Sequence, residues 1–431
     1  MTAVRPKGWE SHGTSYSRNI NRIPFEGDAQ FRDEGGVSQM SALASPLLDP
    51  GASPLDARQR AVVQRVSDAE RAHILALPSN DPLDPKLRSR VQATGSELFD
   101  QPAAIRATLQ LNAAALDNVA DRLAHRVRRV VLVGCGDSLA VMMAARQALE
   151  GMLGVPCEPM QSLEFAYYHA HLIDADTAVI ALSSSGETTR TVEALLVAQH
   201  RGSYTVALTN TDGSTLQVEA DTSLKIQATR VGWPTQSSTA ALALLLELAI
   251  RVGERRVLGA AAPLGSAFDE LPDLMTQVLQ RIDPLIAEIA DDEVEAGVQT
   301  VLFSGAGPNL ASAVIGAAKV KECTTLHAID IQVEEYHHYN SQKAGEPLFL
   351  LSPSGPSVPR SVDTGTDALR WGGRLYVVTT DGEHAFDDLG GRLLTLPAVP
   401  ESLSPLLYVL AAQLVGYHLG LSCYAAAASH A

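Results

Sequence analysis

From Arg129 onward, short runs of apolar residues alternate with longer segments whose apolar positions recur every three or four residues. VVLVG, TAVIALS and YTVALT are short enough to be strands, and each breaks at a glycine or a polar loop. Between them, SLAVMMAARQALEGML and the residues after the Ser/Thr loop carry helical spacing. Strands without polar alternation belong to a parallel sheet covered on both faces. The pattern then recurs. TVLFSGAG, EPLFLLSPSG and GGRLYVVTTDG are again strands, and ASAVIGAAKVKECTTL is a helix. This predicts an α/β protein with two doubly wound parallel sheets in tandem, each a three-layer αβα unit.

The expected boundaries follow from the same pattern. Residues 1–70 are rich in Gly, Pro, Ser and Asp and read as a partly ordered extension, with a dimer-forming arm as the other reading. Residues 71–128 read as a helical lead-in, residues 129–255 as the first domain and residues 298–431 as the second. Residues 256–297 read as a small-residue linker followed by a helix from Leu271 to Ala290.

Composition narrows the class. The 431 residues are 46% hydrophobic and only 19% charged, which fits a chain with buried cores and not a disordered one. A net charge of −16 makes nucleic acid an improbable partner, though a local positive site for an anion is compatible with it. The four cysteines (Cys135, Cys157, Cys323 and Cys423) have neither zinc-ligand nor redox-motif spacing, so a reducing compartment without disulfides is expected. The N-terminus has no apolar signal core, and the stretch from Ala240 to Ile250 is about half a membrane span and contains Glu247. The expected location is the cytoplasm, away from membranes.

Three segments carry candidate chemistry. In Gly134-Cys135-Gly136-Asp137-Ser138, glycines between strand and helix allow a tight turn and give a ligand access to backbone N–H groups. The same residues also suit an ordinary strand-to-helix turn, and the third glycine of a dinucleotide fingerprint is missing. In Ser183-Ser184-Ser185-Gly186-Glu187-Thr188-Thr189, several hydroxyls and free N–H groups converge on one helix start. That is a means of holding phosphate without lysine. Helix capping accounts for one or two of those hydroxyls, but not for so many. In the second copy, Lys319 and Glu322 share a helix face, and Glu334-Glu335-Tyr336-His337-His338-Tyr339-Asn340 follows. On composition alone, KVKE also reads as a solvated helix face. Adjacent histidines point apart on a regular element and lack HExxH spacing, so no metal site is expected.

Taken in order, these segments resemble the tandem sugar isomerase (SIS) domain proteins, in particular the isomerase half of glutamine–fructose-6-phosphate aminotransferase. ELFDQPAAIRATL resembles that family's entry helix, GCGDS its A-C-G-T-S loop, SLEFAY its A-S-E-F-R-Y, SSSGETTRT its S-Q-S-G-E-T-x-D-T phosphate loop, and KVKECTTLHA its K-L-K-E-I-S-Y-I-H-A. The resemblance covers about residues 95–420 and implies flavodoxin-like SIS domains. It places Ser183, Ser185 and Thr188 on phosphate contacts, Ser184 on a contact usually made by Gln, and Gly136, Asp137 and Ser138 at the substrate. Glu322 falls on the base that moves a proton between C1 and C2, Lys319 on the lysine one turn earlier, His338 on the ring-opening histidine, and Glu335 on the Glu of E-L-K-H-G-P.

The chemistry is self-consistent. Aldose–ketose interconversion needs a group that opens the ring and a carboxylate that shuttles a proton through an enediol, and no cofactor. Lys319 would stabilise developing negative charge.

The resemblance also implies a phosphorylated sugar as partner and a homodimer sharing its sites, with His338 reaching across. The departures are K-H-G-P replaced by His337-His338-Tyr339-Asn340, S-T-K replaced by Pro234-Thr235-Gln236-Ser237-Ser238-Thr239 without its basic residue, and no matching C-terminal tail. With Thr at position 2 and no glutaminase domain ahead of the tandem, this chain is not expected to release ammonia from glutamine by itself. The expected function is isomerisation of a hexose or aminohexose phosphate, with or without amine loss or addition. The alternatives are amination using ammonia from a separate amidotransferase, or a non-catalytic sugar-phosphate sensor.

Overall fold

The computed structural model describes residues 46–74, 77–339 and 341–430. The expected extension therefore lies largely outside the described residues. Its last part contains a helix, α1 (Ala57–Ile74). The lead-in forms α2 (Pro85–Phe99) and α3 (Gln101–Arg126). Asp84 caps α2 by accepting from the Lys86 N–H at 2.7 Å, and Pro85 occupies the first helical position, where no intrahelical N–H is needed.

The first sheet contains β1 (Arg129–Gly134), β2 (Cys157–Gln161), β3 (Thr177–Leu182), β4 (Tyr204–Thr209) and β5 (Thr222–Lys225). All pairs are parallel and the order is β2-β1-β3-β4-β5. The second contains β6 (Thr300–Gly305), β7 (His327–Gln332), β8 (Pro347–Ser352), β9 (Arg374–Thr380) and β10 (Arg392–Leu396). Its order, β10-β9-β8-β6-β7, is the same arrangement read from the opposite edge. Strands β3, β4 and β8 are buried at every position, which is why their sequences lack polar alternation.

Helices α4 (Asp137–Leu153), α5 (Thr189–His200), α6 (Thr215–Glu219) and α7 (Gln236–Arg255) accompany the first sheet. The second is covered by α8 (Ala261–Glu295), α9 (Leu310–Cys323), α10 (Val358–Arg370) and α11 (Pro405–His430). One hydrophobic core runs through both units: Leu132 and Ile180 of the first sheet and Phe303 and Phe349 of the second belong to the same buried cluster. It is continuous because α4 packs directly against α9. Smaller cores lie on the outer faces, around Val192 and Leu196 in the first unit and Tyr336 and Leu350 in the second.

Two elements differ from expectation. Helix α8 begins at Ala261, not Leu271, so most of the expected linker is helix. Pro263 lies in its first turn, where proline is tolerated, and Ala261, Leu264 and Phe268 are buried. Helix α11, not the Ala240–Ile250 stretch, is long and apolar enough to cross a membrane by length and composition. It is mostly buried inside the fold and packs along α8 and α9, so its apolar surface serves the core.

A buried ionic anchor ties α8 to the second sheet. The Glu293 carboxylate accepts from Arg374 Nε at 2.6 Å and from the Tyr376 hydroxyl at 2.6 Å, and Glu293 is 1% exposed. Glu293→Ala would leave both partners without a counterpart. It should lower unfolding free energy by roughly 3–5 kcal/mol, measured by urea titration. A loss below about 1 kcal/mol would show that the anchor does not stabilise the fold.

Candidate active site

The loops at the carboxyl ends of β1, β3 and β5 enclose a cavity of about 300 Å³, and α9 of the second unit forms its far wall. A cleft at the carboxyl ends of parallel strands, where helices begin and N–H groups are free, is the expected binding place of a doubly wound sheet. The lining includes Cys135, Gly136, Asp137 and Ser138 after β1, and Ser183, Ser184, Ser185 and Thr188 after β3. Arg230, Pro234, Ser237 and Ser238 come from the third side, and Ala318 and Glu322 from α9. All seven residues proposed from the sequence for substrate binding thus line one cavity, together with Glu322.

The hydroxyl loop is preorganised. Ser183 Oγ lies 2.9 Å from Thr188 Oγ1 and 3.3 Å from Ser185 Oγ, and it accepts from the Gly186 N–H at 3.1 Å. Ser185 Oγ accepts from the Glu187 N–H at 3.2 Å. Ser184 Oγ is buried without a hydrogen-bond partner among the described residues. Gly186 has φ +68°, and a Cβ there would lie 2.1 Å from Ser214 Oγ, so both backbone and space require glycine. The Glu187 side chain is engaged outside the cavity. It accepts from Thr215 N–H and Oγ1, both at 2.7 Å, and fixes the loop against α6.

Lys319 does not line the cavity. It is fully buried, its Nζ donating to Asp137 Oδ2 at 2.8 Å and to Glu322 Oε2. The resemblance places Lys319 where it would stabilise developing negative charge. Its ammonium is consumed by two carboxylates of the protein, one from each unit. Burial alone would lower the lysine's pKa, but Asp137 and Glu322 outweigh it and raise the pKa above the ordinary value. The carboxyl of Glu322, half-buried at the cavity wall, is pushed up from the ordinary value by burial first and by Asp137 next, against the lowering effect of Lys319. It is a carboxyl of raised proton affinity in the cavity wall.

The histidine segment lies elsewhere. Neither His338 nor Glu335 lines the cavity in the same chain. His338 is exposed, with Nε2 3.5 Å from Glu334 Oε1, and Glu335 is exposed in a single turn, Glu335–His337. Its neighbour His337 is held inward, 3.2 Å from Asp367 Oδ2 and 2.9 Å from Thr364 Oγ1, and so braces the turn against α10. Among the described residues, no group of three or more His, Cys, Asp or Glu is placed to hold a metal ion.

Arg230 is a lining residue that no sequence motif singles out. The segment 234–239, where the helix begins, lacks a basic residue, but a cation enters earlier, from the loop after β5. Gln236, in the segment that replaces S-T-K, is buried, and its Oε1 accepts from the Thr229 N–H at 3.0 Å. It supports the loop from which Arg230 projects.

The SIS domain family model matches residues 124–251. Glutamine–fructose-6-phosphate aminotransferase of Yersinia pseudotuberculosis is 30% identical over 341 residues, 75% of this chain and 55% of that one. The Corynebacterium glutamicum enzyme of the same name is 30% identical over 335 residues, 74% and 53%. The chain spans about half the length of these curated relatives. Among solved structures, the C-terminal domain of glucosamine-fructose-6-phosphate aminotransferase from Francisella tularensis superposes with TM-score 0.67 at 22% identity, covering 76% of this chain and 95% of that one. Tagatose-6-phosphate ketose/aldose isomerase from Escherichia coli gives TM-score 0.63 at 17% identity, covering 76% and 91%.

A matched SIS domain over residues 124–251 and two parallel five-stranded sheets with flanking helices define a protein of the SIS domain class. Within it, the chain resembles the isomerase domain of glutamine–fructose-6-phosphate aminotransferase.

The electrostatics of Glu322 give a direct test. Because Asp137 pushes the Glu322 carboxyl upward, Asp137→Asn should move its titration midpoint to lower pH. Lys319→Met should move it to higher pH, since the lysine holds it down. Carbon-13 NMR of the Glu322 carboxyl measures both shifts. Shifts in the opposite directions would contradict the arrangement.

Proposed function

We propose that the chain is an enzyme of the phosphosugar isomerase type, acting on a hexose or aminohexose phosphate through an enediol. The observation that carries this reading is one cavity joining a hydroxyl-rich anion loop to the half-buried carboxyl of Glu322. The names of its relatives and fold neighbours, which include an aminotransferase, a ketose/aldose isomerase and a glucosamine-6-phosphate deaminase, support the substrate class. Ser183, Ser185 and Thr188 hold the phosphate with hydroxyl and backbone donors. Glu322 removes a proton at one of C1 and C2 and returns it at the other. Its raised pKa keeps the conjugate acid available for the return step, and Lys319 positions the carboxylate by ion pairing from behind. Asp137, across the cavity from α9, holds Lys319 from the other unit.

Ring opening needs an acid–base group, and the candidate is His338, acting in the cavity of a second copy. This reading makes the working unit a homodimer with shared sites. His338 and Glu335 are exposed on one short turn, free to meet another chain. The reading with ammonia supplied by a separate amidotransferase uses the same cavity and the same Glu322 step.

Glu322→Gln keeps the shape and removes the proton acceptor. In deuterated solvent the native protein should exchange the C1 or C2 proton of fructose 6-phosphate or glucosamine 6-phosphate. The variant should lose that exchange by 100-fold or more, on the order of 10²–10⁴ for a lost general base, while still binding the sugar. Near-native exchange in the variant would remove Glu322 from the role. Absence of exchange in the native protein, with sugar-phosphate binding intact, would leave the sensor reading. Mixed Glu322→Gln and His338→Ala chains should regain part of the activity, because a hybrid dimer contains one intact site. No recovery despite confirmed subunit exchange would refute site sharing.

A further inference from the structure

The two sheets carry the same set of loops, and comparing them singles out one position. In each unit a glycine with positive φ stands two residues past the end of the first strand: Gly136 at +56° after β1 and Gly307 at +52° after β6. Each has a Ser- and Gly-containing loop after its third strand, Ser183-Ser184-Ser185-Gly186 and Pro353-Ser354-Gly355. Arg230 and Glu401 each stand five residues beyond the last residue of the fifth strand, Lys225 and Leu396. One position thus holds a cation in the first unit and a carboxylate in the second.

The consequences differ accordingly. In the second unit the Glu401 carboxylate fills the space between the loops. A Cβ on Gly307 would lie 3.3 Å from Glu401 Oε1, and a Cβ on Gly355 would lie 3.2 Å from Oε2. In the first unit the corresponding space is open: a Cβ on Gly136 would meet nothing within 4 Å, and this is where the cavity lies.

Arg230 lines that cavity, and no hydrogen bond or ion pair engages its guanidinium among the described residues. The residue is exposed, and surrounding protein atoms first, then the charge of Arg90, hold its pKa below the ordinary value against the raising effect of the Glu97 carboxylate. The loop that presents it is rigid. Glu97 Oε1 accepts from the N–H groups of Val231 at 2.7 Å and Gly232 at 3.2 Å, and Thr94 Oγ1 accepts from Trp233 N–H at 2.8 Å. Arg90 stacks over the Trp233 ring with 3.7 Å between guanidinium carbon and centroid. A Cβ on Gly232 would come within 2.5 Å of the Thr94 backbone nitrogen, so the loop can approach α2 only with glycine there. An exposed guanidinium on a braced loop, lining the same cavity as a hydroxyl-rich anion loop, is suited to receive an anion.

We propose that Arg230 is the charge-selecting residue of this cavity, pairing with the phosphate that the 183–188 loop holds, while Glu401 closes the equivalent place in the second unit as a built-in anion. The proposal rests on the phosphosugar reading above and adds the group that discriminates a charged from an uncharged sugar. Isothermal titration of the full chain with fructose 6-phosphate, inorganic phosphate and fructose tests it. The native protein should take up one fructose 6-phosphate per chain and bind fructose far more weakly. Arg230→Gln should weaken fructose 6-phosphate and phosphate binding by roughly ten- to hundred-fold, leave fructose binding unchanged and reduce the salt dependence. Arg230→Lys should recover part of the loss, which a merely structural role would not predict. Unchanged phosphate binding in Arg230→Gln would overturn the proposal and leave the phosphosugar reading standing. Two equivalents per native chain would overturn the role given to Glu401. If the native protein binds no sugar phosphate, the phosphosugar reading fails and the proposal with it.

Discussion

A lysine cut off from water must be supplied with counter-charges, and in this protein the supply comes from two different domains. Lys319 rises from α9 of the second unit and meets Asp137, at the first position of α4 in the first unit, as well as Glu322 one turn along its own helix. An uncompensated ammonium there would cost several kcal/mol. The two inner helices therefore cannot separate or slide without exposing that cost. The same contact decides where the Glu322 carboxylate sits. Glu322 faces the cavity because its other side is held by Lys319, and its affinity for protons is set by the burial that the helix packing creates.

The two sheets show how one architecture supports unequal sites. Both repeat the strand order, the glycine after the first strand and the serine loop after the third. The difference that leaves one space open and the other filled lies in single side chains five residues past the last strand. The backbone repeats between the units while the side chains at this position differ in charge. This fits a general feature of doubly wound folds, in which loops vary over an invariant sheet.

Much of this is legible locally. Buried parallel strands have no polar alternation, so VVLVG, TAVIAL and PLFLLS stand out, and the hydroxyl density of residues 183–189 points to an anion by itself. What is not legible depends on contacts between segments far apart in sequence. Nothing near Lys319 says that Asp137 will meet it, because the pairing joins residues 182 positions apart in two different units. Arg230 is not legible because its place in the cavity wall depends on where the loop after β5 folds, which no local pattern encodes. The early start of α8 is masked by Pro263 and Pro272, whose helix-breaking reputation does not apply to a first turn and is overridden by burial further on. Helix α11 has apolar residues nearly all round because it is packed by α8, α9 and α2, and periodicity is least informative for such a helix.

The claim on which the account turns is that Lys319 and Asp137 form one electrostatic joint between the two units. A double-mutant cycle on unfolding free energy with Lys319→Met, Asp137→Asn and the pair measures that joint directly. Each single change should be strongly destabilising, and the pair should cost less than the sum by about 1–3 kcal/mol, since removing both partners leaves no stranded charge between them. Additive losses, within a few tenths of a kcal/mol, would mean that the two residues act independently and would contradict the account.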